Sequence, residues 1–131
     1  PKQSKEMASR YRLSFYRQKG DRQNYAKAAI HHYKAFPSRD PEELNEVGAT
    51  FSRVIEDQIM LRKIVPLIQK SIKLEDAHYN NDTMAAILFK LGDIQGAKSA
   101  AIKAINLAKS AGEDHSYTAE LLEVIKSHES N

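Results

Sequence analysis

The stretch Leu88-Phe89-Lys90-Leu91-Gly92-Asp93-Ile94-Gln95-Gly96-Ala97-Lys98-Ser99-Ala100-Ala101-Ile102-Lys103-Ala104-Ile105-Asn106-Leu107 decides the fold. Behind its Gly-Asp pair, Ala97, Ala101, Ala104, Ile105 and Ala108 recur at intervals of three and four, which puts them on one face of an α-helix. Ahead of it, Met84, Ile87, Leu88 and Leu91 do the same. Glycine lets the chain reverse, and an aspartate just after it can cap the helix that follows. The stretch therefore reads as helix, tight turn, helix, with alanines that let the two helices approach closely.

A second copy of this pattern lies upstream. Tyr16-Arg17-Gln18-Lys19-Gly20-Asp21 leads into Tyr25-Ala26-Lys27-Ala28-Ala29-Ile30, and the two Gly-Asp pairs are 72 residues apart, or twice 36. Other stripes with helical spacing are Leu13, Tyr16 and Gly20; Tyr25, Ala28, Ala29, His32 and Phe36; Leu44, Val47, Phe51, Val54 and Ile55; Leu61, Ile64, Val65, Ile68, Ile72 and Leu74; and Leu121, Leu122 and Ile125. Breaks fall at Gly20-Asp21, Pro37 to Pro41, Gly92-Asp93 and Gly112 to Asp114. The pattern predicts seven helices, over about 3–19, 22–36, 41–57, 60–75, 78–91, 94–110 and 116–128, and no strand. Asp40-Pro41-Glu42-Glu43 supplies a cap, a first-turn proline and carboxylates where the helix dipole favours them. Ser116, with Glu120 just inside, is expected to start the seventh helix. Pro66 falls inside the fourth, where it removes a backbone hydrogen bond at a cost of ~3 kcal/mol. The apolar stripe stays in phase on both sides of it, so one kinked helix is expected.

This arrangement resembles the tetratricopeptide repeat, a helix–turn–helix unit of about 34 residues. The unit at about 78–111 matches best, through Ala85, Gly92, Ala97, Ala104 and Leu107. The unit at about 6–37 matches at Tyr16, Gly20 and Pro37 and departs at Leu13, Tyr25 and His32, where that family prefers small residues. The middle unit, about 45–76, has Ile59-Met60 where Gly-Asp would fall and Ile64 where alanine would. The helix at about 116–128 resembles the solvating cap of such arrays. The resemblance implies one all-α domain: a right-handed superhelix of about three antiparallel helix pairs plus a C-terminal capping helix. More narrowly, Leu13 to Phe36 and Thr83 to Val124 resemble the helical tail that follows a thioredoxin domain in some bacterial proteins of the Bacteroidetes group. That resemblance carries over no catalytic residue.

Composition bounds the chemistry. With 131 residues the chain is long enough for one domain with a buried core. With no cysteine, it has no disulfide, thiolate catalysis or cysteine-ligated metal. The longest uncharged apolar run, Met84 to Phe89, is far too short to cross a bilayer, and no apolar signal-peptide core follows Pro1. A soluble chain without membrane insertion is expected, and the lack of an initiator Met suits a processed or excised piece. Charge is uneven. Residues 1–22 hold seven basic groups against Glu6 and Asp21, whereas the remainder has 13 basic and 15 acidic groups. A basic first helix suits a solvated face, a face that met an acidic neighbour, or a nucleic-acid or membrane contact.

No side-chain constellation points to catalysis. His31 and His32 are adjacent, so on a helix they diverge by about 100° and do not form a two-histidine metal face. His32 lies on an apolar stripe and is expected to be partly buried and hydrogen-bonded. The pairs Glu42-Glu43, Glu56-Asp57, Glu75-Asp76 and Glu113-Asp114 sit at expected helix ends, and nothing selects two carboxylates facing one cleft. There is no phosphate-binding glycine loop and no nucleophile elbow. Tyr11, Tyr16, Tyr25 and Tyr33 beside arginines admit base stacking, but helical spacing favours packing. No cofactor and no metal are expected.

In a tetratricopeptide array the first helix of each pair lines the inner face. The resemblance puts Arg10, Ser14, Arg17 and Gln18 there from the first pair. The second contributes Glu46, Ala49, Arg53, Glu56 and Asp57, and the third Tyr79, Asp82, Ala86, Phe89 and Lys90. Arg10, Arg17, Arg53, Phe89 and Lys90 are the candidate partner-binding residues, suited to an extended acidic or amphipathic segment. The mixed charge does not resemble the lysine and asparagine clamp with which some such domains hold C-terminal carboxylates. The function expected is a non-catalytic interaction or scaffolding module that binds a peptide, a protein or a neighbouring domain of the same parent chain. The alternatives are a structural appendage of a thioredoxin-like redox protein and a nucleic-acid-binding helical domain.

Overall fold

Among the described residues, seven α-helices make up the fold: α1 Lys2–Lys19, α2 Arg22–Ala35, α3 Pro41–Val54, α4 Gln58–Leu74, α5 His78–Lys90, α6 Ile94–Ala111 and α7 Ser116–Ser127. The structure is a computed structural model that describes residues 1–129, and no strand occurs among the described residues.

The repeated Gly-Asp sequence is a repeated structure. Gly20 and Gly92 adopt the left-handed conformation, with φ of 70° and 81°. Gly20 donates its N–H to the Arg17 carbonyl at 3.2 Å, and Asp21 donates to Tyr16 at 3.0 Å. Gly92 and Asp93 do the same to Phe89 and Leu88, at 3.0 and 2.9 Å. Each aspartate then caps the next helix: Asp21 Oδ1 accepts from Asn24 N and Asp93 Oδ1 from Gly96 N. This satisfies one of the orphan N–H groups of a helix start.

The middle turn corrects the expected register. Ile59 and Met60 are not the turn; they form the first turn of α4 and donate their N–H groups to Asp57 Oδ1 at 2.9 and 3.1 Å. The turn is Ile55–Asp57, three residues earlier than expected, and α3 ends at Val54 to accommodate it. Asp57 thus stands 36 residues after Asp21 and 36 before Asp93, so the structural period is 36. No glycine is needed, because Ile55 and Asp57 are extended, with φ of −100° and −61°.

Pro66 lies inside one helix, α4, not at a break between two. Both Pro66 and Arg62, whose carbonyl loses its partner, are exposed, so the freed carbonyl faces solvent. At α7, Ser116 is the first helical residue and not the cap. Asp114 Oδ1 accepts its N–H at 3.0 Å.

Consecutive helices joined by short loops run antiparallel and pack in sequence. One apolar cluster, centred on Phe51, Leu61, Ile64, Ile68 and Ile87, joins α2 to α5. A second, with Ala85, Ala97, Ala101, Leu122 and Ile125, joins α5, α6 and α7. Ala97, Ala101, Ala104 and Ala108 are all fully buried, which lets α6 lie close against α5. Buried polar groups tie the second and third pairs: Ser71 donates to the Pro41 carbonyl at 2.7 Å and accepts from Asn80 at 3.0 Å.

The first pair is different. Larger side chains at Leu13, Tyr25 and His32 stand where α5 and α6 have Ala85, Ala97 and Ala104, and α1 is held less closely to α2 than α5 is to α6. Among the described residues, no Cα of α1 comes within 8 Å of α3, whereas α3 packs directly on α5.

Candidate functional site

The stand-off of α1 opens a groove. Leu13, Ser14, Arg10 and Arg17 of α1 form one wall; Glu43, Glu46, Val47 and Thr50 of α3 form the other; Tyr25 and Tyr33 of α2 form the floor. The groove is open to solvent and has a volume of about 370 Å³. It continues past Arg17 into a second hollow of about 250 Å³ lined by Tyr16, Arg22, Thr50, Arg53 and Val54. Arg17 borders both spaces.

Glu43 anchors the end of the groove. Its carboxylate accepts hydrogen bonds from Arg10 Nη1 at 3.0 Å, the Tyr33 hydroxyl at 3.0 Å and Ser38 Oγ at 2.8 Å. Burial alone would push this carboxyl up, but the bonds from Ser38, Arg10 and Tyr33 outweigh it and hold the carboxyl below its ordinary value. The Tyr33 phenol is raised, first by burial and then by the adjacent Glu43 charge, so it remains a neutral donor. Arg10 also bonds Glu6 at 3.3 Å, and its guanidinium is therefore committed to the protein.

The three arginines differ in their freedom. Among the described residues, Arg17 makes no ion pair. Arg53 meets Glu46 at 3.7 Å, but both side chains are more than half exposed, and such a pair contributes about 0–1 kcal/mol. The groove thus presents Arg17 and Arg53 as available cations beside an aromatic floor, with Arg10 fixed at one end.

Phe89 and Lys90 do not join this groove. Lys90 Nζ donates to the carbonyls of Ser52 and Ile55 at 3.0 and 2.8 Å and pairs with Glu56 at 2.8 Å. It serves as a cationic C-cap for α3, satisfying carbonyls that the helix end leaves open. Phe89 packs into the second apolar cluster and lies edge-on to His128, with centroids 5.1 Å apart. Glu56 and Asp57 are likewise occupied, by Lys90 and by the start of α4. The groove residues that sequence reasoning missed as a site are Tyr25, Tyr33, Glu43 and Thr50. Helical spacing marks Tyr25 and Tyr33 as packing residues and Glu43 as a helix-end carboxylate, and nothing in the sequence marks Thr50 or a gap between α1 and α3.

His32 is fully buried, with Nδ1 2.7 Å from Ser9 Oγ and with no partner on Nε2. It packs between Tyr33 and Phe36. Among the described residues, no group of three or more His, Asp or Glu is placed to hold a metal ion, and no helix is long and apolar enough to cross a membrane. In comparisons with known proteins, no protein-family model, no curated protein and no solved structure matches this chain.

Proposed function

We propose that the chain is a non-catalytic interaction module of the tetratricopeptide-like kind, and that the groove between α1 and α3 binds an extended protein segment bearing carboxylates. The observation that carries the reading is the Arg17 guanidinium, in no ion pair among the described residues, between two open hollows, with the weakly held Arg53 beyond it. A guanidinium offers paired N–H donors that match a carboxylate's two oxygens. Tyr25, Leu13 and Val47 offer apolar surface for a neighbouring side chain. The three helix pairs at a period of 36 support the repeat reading, and with it a stack that presents its odd-numbered helices to a ligand.

The test is a selection of random peptides displayed against the folded chain. Enriched sequences should be acidic and should lose binding to the variant carrying Arg17→Glu and Arg53→Glu. Both residues are exposed, so the variant should keep its circular dichroism. Enriched peptides that bind wild type and variant alike would remove the groove from consideration.

A further inference from the structure

The 36-residue period aligns α1 with α3 and α5, and the alignment exposes an unfilled position in the stack. Phe15 corresponds to Phe51 and Ile87, and Tyr11 to Val47 and Thr83. In α3 and α5 these residues are covered: Phe51 and Ile87 are 0% exposed, Val47 6% and Thr83 7%. In α1, Phe15 is 46% and Tyr11 75% exposed. On α3 that cover comes from α4 and α5 and, on the side of the preceding pair, from α2. Phe51 lies against Tyr25 of α2 with ring centroids 5.9 Å apart. Ile87 shares a cluster with Leu61, Ile64 and Ile68 of α4.

We infer that the Tyr11–Phe15 face of α1 is a docking surface for an acidic amphipathic helix of a partner protein, seated as α2 seats on α3. The charge of the face selects that partner. Arg12 borders the same shallow hollow as Tyr11 and Phe15, and Lys19 Nζ lies 5.2 Å from the Phe15 ring centroid. Neither Arg12 nor Lys19 has an ion-pair partner among the described residues. A second copy of α1 would bring like charges together, whereas a helix with carboxylates beside its apolar stripe would pair them as it buries the two aromatic rings. The face is distinct from the groove, which opens on the Arg10–Arg17 side of the helix.

The probe is a helix-stapled peptide of residues 21–36 with Arg22→Glu, Lys27→Glu, His31→Glu and Lys34→Glu, all exposed positions of α2. It is titrated into the ¹⁵N-labelled chain, to about 1 mM, the weak end of specific recognition. Amide shifts should concentrate at Ala8, Tyr11, Arg12 and Phe15, and Phe15→Asp should weaken binding at least about tenfold with no change in circular dichroism. Exchanging Arg12→Glu and Lys19→Glu should weaken the acidic peptide and strengthen the unsubstituted, basic one. The inference is overturned if shifts fall around Arg17 and Thr50 instead, or if none appear. It is also overturned if phosphatidylserine vesicles or duplex DNA engage the face and the peptide does not, or if the chain dimerises through Phe15.

Discussion

Gly48 tests how closely α3 meets α4 and α5. It lies in the middle of α3 and is buried. A Cβ there would sit 2.7 Å from Ile68 Cγ1, 3.0 Å from Ile68 Cδ1 and 3.3 Å from Thr83 Cγ2. Two effects oppose each other in Gly48→Ala. Alanine is the better helix former by about 1 kcal/mol. Forcing a methyl into a filled site costs ~1–3 kcal/mol. Ile68 is fully buried in a close-packed interior, where a side chain moves only by displacing its neighbours, so the steric term should win. The expected net loss is about 1 kcal/mol, a fall in Tm of about 3–4 °C for a chain of this length. The comparison that isolates the cause is a double-mutant cycle with Ile68→Ala. That change alone should cost ~2–5 kcal/mol, but it removes both clashing carbons. In its background Gly48→Ala should stabilise by about 1 kcal/mol, giving a coupling of about 2 kcal/mol. Urea denaturation followed by circular dichroism measures all four proteins. If Gly48→Ala stabilises the wild type, or the cycle is additive, α3 does not approach α4 and α5 as described.

Three further expectations follow from local geometry. Ala104→Leu should destabilise by ~1–3 kcal/mol in the same assay, since Ala104 is fully buried; a change within error would mean that α6 is not seated closely on α5. Asp57→Ala should cost ~0.5–2 kcal/mol because it orphans two N–H groups, and Asp57→Asn should restore most of the loss; equal losses from both would show that capping is not its role. His32 has a folded pKa below its ordinary 6.5, first because of burial and then because of Arg10. The unfolded state therefore binds more protons, so stability is full above pH 6.5 and declines as pH falls below it; His32→Gln should flatten the unfolding free energy between pH 7 and 5, and an unchanged slope would contradict the burial.

Much of the fold was legible because its signals are local. Apolar stripes at three and four, and Gly-Asp pairs that need a left-handed residue and then a cap, depend only on neighbours along the chain. The middle turn departs from the expected register for a physical reason: it stays extended and needs no glycine, so only Asp57, at half the distance between Asp21 and Asp93, marks it. Of the candidate residues, Arg10, Arg17 and Arg53 border the groove, and Phe89 and Lys90 do not. The carbonyls that Lys90 satisfies belong to a helix more than thirty residues away, so no sequence pattern near Lys90 could announce its role.

The sequence by itself determined seven helices, their order, the two Gly-Asp turns and a chain without cysteine chemistry. Helical period and turn stereochemistry operate over a few residues, and the chain states them directly. Tertiary structure alone decided that α1 stands away from α3, that Glu43 gathers Arg10, Tyr33 and Ser38, and that Lys90 closes α3. It also decided the fate of two phenylalanines 36 residues apart. Phe51 is core because side chains of α2, α4 and α5 close around it, whereas Phe15 is left 46% exposed by the described chain.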